Sequence, residues 1–404
     1  MNASTQHQHE TICAIVGGGP AGAVLSLLLA RQGIAVTLLE MHKDFDRDFR
    51  GDTLHPSIME IMDEIGLAER LLQLPHAKMR TMTAPTTMGP VPVADLGRLK
   101  TKFPFITMMP QAQFLDFIAA EAGRYPNFQL VMGAMVDELI EDAEYGVVRG
   151  VRYQGAGGVH EVQALLTVGA DGRFSRLRKL AGFEAIKASP PMDIVWLRLP
   201  RKAADGEGGM GRFGRGHALV KLDRGEEWQL GYIILKGTYQ KLRESGIEAL
   251  RQSIAELDPA LADRVDLIKD WKDVAFLSVA ADRLSRWHKP GLLLIGDAAH
   301  VMSPVGGNGI NYAVMDAVAA ANVLTGPLKA GRVTENDLAR VQRQREWPTR
   351  IIQAFVNALQ ENLIASALDP NRPPFRVPGF LRWPVVRDFV PHLFGFGIGR
   401  VHVK

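Results

Sequence analysis

Three short turns in this chain carry residue types that can do chemistry together. The first is Gly17-Gly18-Gly19-Pro20-Ala21-Gly22, in which Gly17, Gly19 and Gly22 fall at GxGxxG spacing. Gly17 permits a sharp turn. Gly19 lets backbone amides approach a pyrophosphate, and Gly22 lets a helix pack close to its sheet. That helix opens at Pro20 and Ala21, and its N-terminus favours phosphate. Glu40 follows Gly22 by eighteen residues, where a carboxylate can accept from ribose hydroxyls. This turn alone implies a dinucleotide and leaves NAD and FAD both open.

The second turn is Gly296–Asn311, GDAAHVMSPVGGNGIN. The apolar run LLLI before it reads as a buried strand, which delivers Asp297 to the carboxyl edge of a sheet. After Pro304, the glycines Gly306, Gly307 and Gly309 expose backbone N–H groups just ahead of a helix, an anion site, and Asn308, Ile310 and Asn311 are candidate cofactor contacts in the same stretch. A reduced flavin carries negative charge at its N1–C2=O edge, and a helix start there would stabilise it. Two such turns suit an extended FAD, which needs protein at its adenosine end and at its flavin end. The third turn is Asp171-Gly172, followed by Arg173, Arg176, Arg178 and Lys179. That basic run suits the phosphates of a nicotinamide cofactor, or equally a solvated helix face.

The elements that position these turns are readable from hydrophobic pattern. TICAIV (11–16) reads as a strand buried on both faces, followed by a helix over about 20–32 and a second strand over 35–40, one βαβ unit. Residues 56–73 carry a helical stripe, 111–124 a further helix, and 128–170 an antiparallel meander. Four spaced strand patterns over 192–279, with a helical insert at about 244–256, read as a largely antiparallel sheet. Helices are expected over 309–325 and 335–364. The fold class expected is α/β, with a Rossmann-like FAD-binding domain of the GR2 type, an inserted antiparallel β substrate domain and a C-terminal helical region. The boundaries expected are 1–185 for the first part of the FAD domain, with 81–110 reaching the substrate domain. The substrate domain covers 186–280, the FAD domain returns over 281–365, and 366–404 is a tail. With 404 residues the chain is long enough for a sizeable core. A net charge of +3 without a concentrated basic face argues against nucleic acid. The single cysteine, Cys13, excludes an intrachain disulfide and suits a reducing, cytoplasmic setting. No apolar run near the N-terminus is long enough to span a membrane. The eleven His residues show no metal-ligand spacing.

GxGxxG, then DG, then GDAAH…P…GxGxN, in this order and spacing, resembles the flavin-dependent aromatic hydroxylases of the p-hydroxybenzoate hydroxylase type. These are single-component class A monooxygenases, and the resemblance covers roughly residues 11–365. It implies that the first motif holds the ADP part of FAD, that Asp171 assists FAD and NAD(P)H, and that Asp297 contacts the ribityl chain. It implies further FAD contacts at Arg50, in FRGDTLHPS, and at Gln111. The implied activity is oxygenation. NADH or NADPH reduces the flavin, O2 adds at its C4a carbon, and the distal hydroxyl of that hydroperoxide passes to an aromatic or similarly apolar small molecule. Pro304 then sits beside the flavin ring.

A phenolic substrate benefits from a base that shares its proton, and Tyr232 and His217 are candidates on the predicted sheet. Arg215 stands where a relative uses an Arg to grip a carboxylate, while Trp196, Trp228 and Tyr232 alternate with apolar neighbours. Met82, Met88, Met108, Met109, Met192 and Met210 suggest an adaptable apolar pocket. Five prolines over 373–391 argue against a long amphipathic helix in the tail, which favours packing on the parent domain or a homodimer contact over a membrane surface. Alternatives are a same-fold reductase, a halogenase, or a flavin-binding regulatory protein without turnover. The halogenase motif WxWxIP is matched only by VWLRLP at 195–200.

Overall fold

The strand His7–Val16 is the centre of the first sheet, because Cys13, Ala14 and Ile15 are apolar and wholly buried on both of its faces. It pairs in parallel with Val36–Glu40 on one side and Gly158–Gly169 on the other. Phe128–Met132 and Leu292–Leu294 extend the parallel array at either edge. Met135–Glu141 and Val148–Gly155 add an antiparallel meander to Gly158–Gly169. The computed structural model describes residues 7–46, 53–86, 89–205, 209–214, 216–361, 365–368 and 384–404.

Eight helices matter for the site. They are α1 (Pro20–Arg31), α2 (Pro56–Glu64), α3 (Gln111–Ala122), α4 (Arg176–Leu180), α5 (Ile247–Leu257), α6 (Gly309–Lys329), α7 (Glu335–Leu359) and α8 (Pro384–Phe396). Of these, α1 and α6 are apolar nearly all round and pack together against the first sheet. Thr334 and Asp337 form a reciprocal capping box that fixes the start of α7.

The second sheet has the strand order Ala275–Leu277, Met192–Pro200, Glu227–Leu235, Ala218–Asp223, Gly209–Phe213, Thr81–Thr86, Gly89–Asp95. Every pairing in it is antiparallel except that between Gly209–Phe213 and Thr81–Thr86. Its two faces pack differently. Val195, Leu197, Trp228, Leu230 and Tyr232 bury against Leu250 and Ile254 of α5. Met192, Ile194, Ala218 and Ile233, with Trp196 and Val220, face the other way and meet Val305 of the Pro304–Asn311 loop.

The tail, whose prolines argue against a long amphipathic helix, contains the 13-residue helix α8. Pro384 occupies the start of that helix, where a missing N–H costs nothing, and Pro391 is accommodated inside it. The segment beyond α8 is tied down: Ile398 N–H donates to the Tyr312 hydroxyl (3.1 Å) and Val403 N–H to Glu64 (2.8 Å).

Candidate functional site

Glycine contacts explain how three turns distant in sequence converge. Gly17 has φ +104°, and a Cβ there would fall 2.4 Å from the Ala170 carbonyl, so the first turn presses on the chain entering Asp171-Gly172. At Gly22 a Cβ would fall 2.0 Å from the Gly17 carbonyl. Gly296 has φ +59° and wedges between the starts of two helices: its Cβ would meet Ala21 of α1 at 3.1 Å and Ala313 of α6 at 3.4 Å. The first and second turns therefore lie side by side at the carboxyl edge of the parallel sheet.

The two helix starts fit an anionic dinucleotide. Neither α1, capped by Gly19, nor α6, capped by Asn308, has a side-chain capping bond or an acidic residue in its first turn. Their dipoles are left uncompensated by the protein. A Cβ at Gly19 or at Gly309 would meet no atom within 4 Å, so open space lies over both N-termini. Helix starts of this kind suit phosphate and other anionic groups.

Buried ions hold the second turn from behind. Asp316 on α6 accepts the Gly296 N–H (3.0 Å), pairs with His300 Nε2 (2.6 Å) and accepts from Arg345 Nε on α7 (2.9 Å). Burial alone would raise the Asp316 pKa, yet His300 and Arg345 hold it below the ordinary carboxylate value. Arg345 also donates to the Gly399 carbonyl (2.8 Å), which links the tail to the turn. On the other side Arg178 donates to the Asp297 and Ala298 carbonyls (both 2.9 Å) and pairs with Asp282 (2.8 Å). Arg178 is buried, which corrects its reading as a cofactor-attracting or solvated cation.

The Pro304–Asn311 loop is fixed by three further contacts. Asn311 donates to the Gly307 carbonyl (3.0 Å) and accepts the His55 N–H (3.1 Å), while Thr53 donates to that same carbonyl (3.2 Å). The ring of His55 reaches the Phe394 carbonyl through Nδ1 at 2.6 Å. A carbonyl only accepts, so Nδ1 carries the proton. Burial pulls the His55 pKa down to about 4, which keeps the ring neutral. Gly306 is equally confined, since a Cβ would sit 3.1 Å from the Phe394 ring. Ile310 and Asn308 are buried in the same loop, and Pro304 is half-buried.

Several expected roles meet a different placement. Tyr232 bonds Ser253 of α5 (2.8 Å) and stacks with His217 (5.6 Å between centroids), and Trp228 donates to Asp205 (2.8 Å). All three belong to the α5 side of the second sheet, away from the face that meets Val305. Trp196 is on the Val305 side, its ring laid over Gly231 where a Cβ would clash at 3.0 Å. Asp171 caps its own loop, accepting from Ser175 Oγ (2.6 Å) and the Arg176 (2.7 Å) and Leu177 (3.1 Å) amides; burial raises its pKa against those bonds. Glu40 accepts from Gly18 N–H (2.8 Å) and His42 N–H (3.0 Å), and so shapes the first turn. Gln111 is the first residue of α3, next to a groove of about 640 Å³ lined by Pro110, Ala112 and Gln113. Arg50, Arg215 and Met88 lie outside the described residues. Sequence reasoning missed Asp316, Arg345 and His55. Only Asp316 carried a signal, as a lone acid on an apolar helix.

Comparison with known proteins places this geometry among flavoproteins. Residues 10–347 match the family model for an FAD binding domain. The chain is 35% identical over 347 residues to a 6-methylpretetramide 4-monooxygenase of Streptomyces rimosus, covering 84% of this chain and 81% of that protein. It is 24% identical to the 3-demethoxyubiquinol 3-hydroxylase of Escherichia coli, over 91% of this chain and 92% of the other. Among solved structures, OxyS anhydrotetracycline hydroxylase from Streptomyces rimosus superposes with a TM-score of 0.75 at 22% identity, covering 96% of this chain and 76% of that one. PqsL from Pseudomonas aeruginosa gives a TM-score of 0.75 at 19% identity, with 90% and 98% covered.

Proposed function

This chain belongs to the family of class A flavin-dependent aromatic hydroxylases and is an FAD-dependent monooxygenase; from that premise we propose that it hydroxylates a fused-ring phenol of polyketide type, with NADH or NADPH as reductant. The observation that carries the substrate class is the sheet face turned to Val305. Ile194, Val220, Ile233 and the ring of Trp196 make that face apolar, which suits contact with an aromatic ring. The similarity to an enzyme named for 6-methylpretetramide supports the same class. The overall reaction consumes NAD(P)H, a proton, O2 and an aromatic C–H, and yields NAD(P)+, the phenol and water.

Bound FAD supplies hydride acceptance and dioxygen activation. The chain's own residues supply position, dryness and electrostatics. Gly17, Gly19 and Gly22, with the start of α1, take the pyrophosphate, and Glu40 the adenosine ribose. Asp297 takes the ribityl chain, and Pro304–Asn311 the ring system. The uncompensated start of α6 favours negative charge at the ring's pyrimidine edge. Arg50, Gln111 and Asp171 remain proposed cofactor contacts, and Arg215 a proposed substrate contact. Residues 186–280 are the proposed substrate domain. A supply of NAD(P)H fits a cytoplasmic setting.

The test is direct. The purified protein is expected to bind FAD and turn yellow, and its NAD(P)H oxidation to accelerate with hydroxylated anthraquinones or tetracenes. Product mass should rise by one oxygen. Reductant oxidation that no aromatic stimulates, with no oxygenated product, would remove this reading.

A further inference from the structure

A small void separates α7, α8 and the Pro304–Asn311 loop. Its volume is about 10 Å³, and its walls include Val305 and Gly306 of the loop, Ile352 and Val356 of α7, and Leu393 of α8. Phe355 lines the same void and is 38% exposed, so one wall of the void is close to solvent and another is the loop itself. We propose that this void is a way-station for dioxygen on its path to the flavin, separate from the entry of the aromatic substrate. The proposal rests on the flavin reading of the loop.

Size and chemistry select the occupant. A void of roughly 10–15 Å³ of probe space holds one small molecule, so a ring system is excluded. Water there needs two to four polar partners, and Asn308 is the one lining residue with a polar side chain. Dioxygen is apolar and diatomic, and loses no hydrogen bonds on leaving water for this lining. The walls are tight, since a Cβ at Gly306 would already meet Phe394 at 3.1 Å. The void also ends at the backbone proposed to cradle the ring, where oxygen must react. The aromatic substrate is assigned to the other side of Val305, against the second sheet.

Two measurements test this. Crystals pressurised with xenon, an apolar probe of similar size, should show xenon between Val305, Val356 and Leu393, with or without FAD. Then Val356→Phe fills the void from α7. The holoenzyme, photoreduced under argon and mixed with oxygenated buffer, should reoxidise at least tenfold more slowly in the variant, while its FAD Kd stays unchanged. Val356→Met, a milder filling that leaves the fold intact, should fall in between. Absence of xenon from the void, or reoxidation in either filled variant at the wild-type rate, overturns the proposal. Failure of the wild-type protein to bind FAD would instead overturn the flavin reading, and xenon binding would not depend on it.

Discussion

Arg178 and Arg345 grip the Gly296-Asp297 turn from opposite sides, one through its carbonyls and one through Asp316. Both guanidiniums are buried, so removing Arg178 strips Asp282 of its ion-pair partner and removing Arg345 leaves buried Asp316 to pair with His300 alone. Arg178→Met is expected to cost about 3 kcal/mol and to weaken FAD binding at least tenfold, read by fluorescence titration. Wild-type affinity in a folded Arg178→Met protein would remove the role assigned to this clamp. His55 makes a pH prediction. Its folded pKa is lowered to about 4 from 6.5. As pH falls, the unfolded chain takes up the proton first. The stability present above about 6.5 is therefore lost between 6.5 and 4, by up to roughly 3 kcal/mol. His55→Asn retains a donor for the Phe394 carbonyl but cannot titrate. It should flatten the difference between urea midpoints at pH 7 and pH 5; an unchanged difference would place the acid sensitivity elsewhere.

At the scale of elements, the glycine turns and the sheet faces behave differently. Gly22→Ala pushes a Cβ to 2.0 Å from the Gly17 carbonyl, and backbone cannot yield cheaply there. The variant is expected to lose FAD binding, whereas Gly33→Ala, with no atom within 4 Å, should cost only about 1 kcal/mol for its φ of +78°. Equal loss in both, measured by FAD titration and thermal melts, would contradict the close-approach argument. The turns were legible in the sequence because their causes are local: a glycine, a strand before it and a helix after it. The facing of the second sheet was not. Alternation separates Trp196 from Tyr232 and Trp228, but nothing in the strands says which face α5 will cover. His217 and Tyr232 therefore read as candidate pocket residues, and the structure sets them on the face that α5 covers. The helix in the tail was not legible for a related reason. Its prolines fall at a helix start and at one tolerated interior position. The Asp316–Arg345 pair was hidden because its members lie 29 residues apart on different helices.

At the scale of the whole molecule, the C-terminal segment closes the architecture. It bonds α2 through Glu64, α6 through Tyr312 and α7 through Arg345, and α8 sets Phe394 against the Pro304–Asn311 loop. A chain ending at Phe396 is expected to melt several degrees lower and to hold FAD more weakly; an unchanged melt and affinity would make the tail dispensable. The division of labour between the two sheets gives a paired prediction. Trp196→Ala should raise KM for the stimulating aromatic at least fivefold, while Tyr232→Phe should leave kcat and KM near wild type. The reverse pattern would return the site to the α5 side. The central claim is oxygen transfer to an aromatic on an FAD bound across the converging turns. It is tested most directly by turnover under heavy-oxygen gas with FAD, NAD(P)H and a fused-ring phenol, followed by product mass spectrometry. One heavy oxygen atom per product, taken from the gas and not from water, is the predicted result. A product unchanged in mass, or labelled from water alone, would contradict the account.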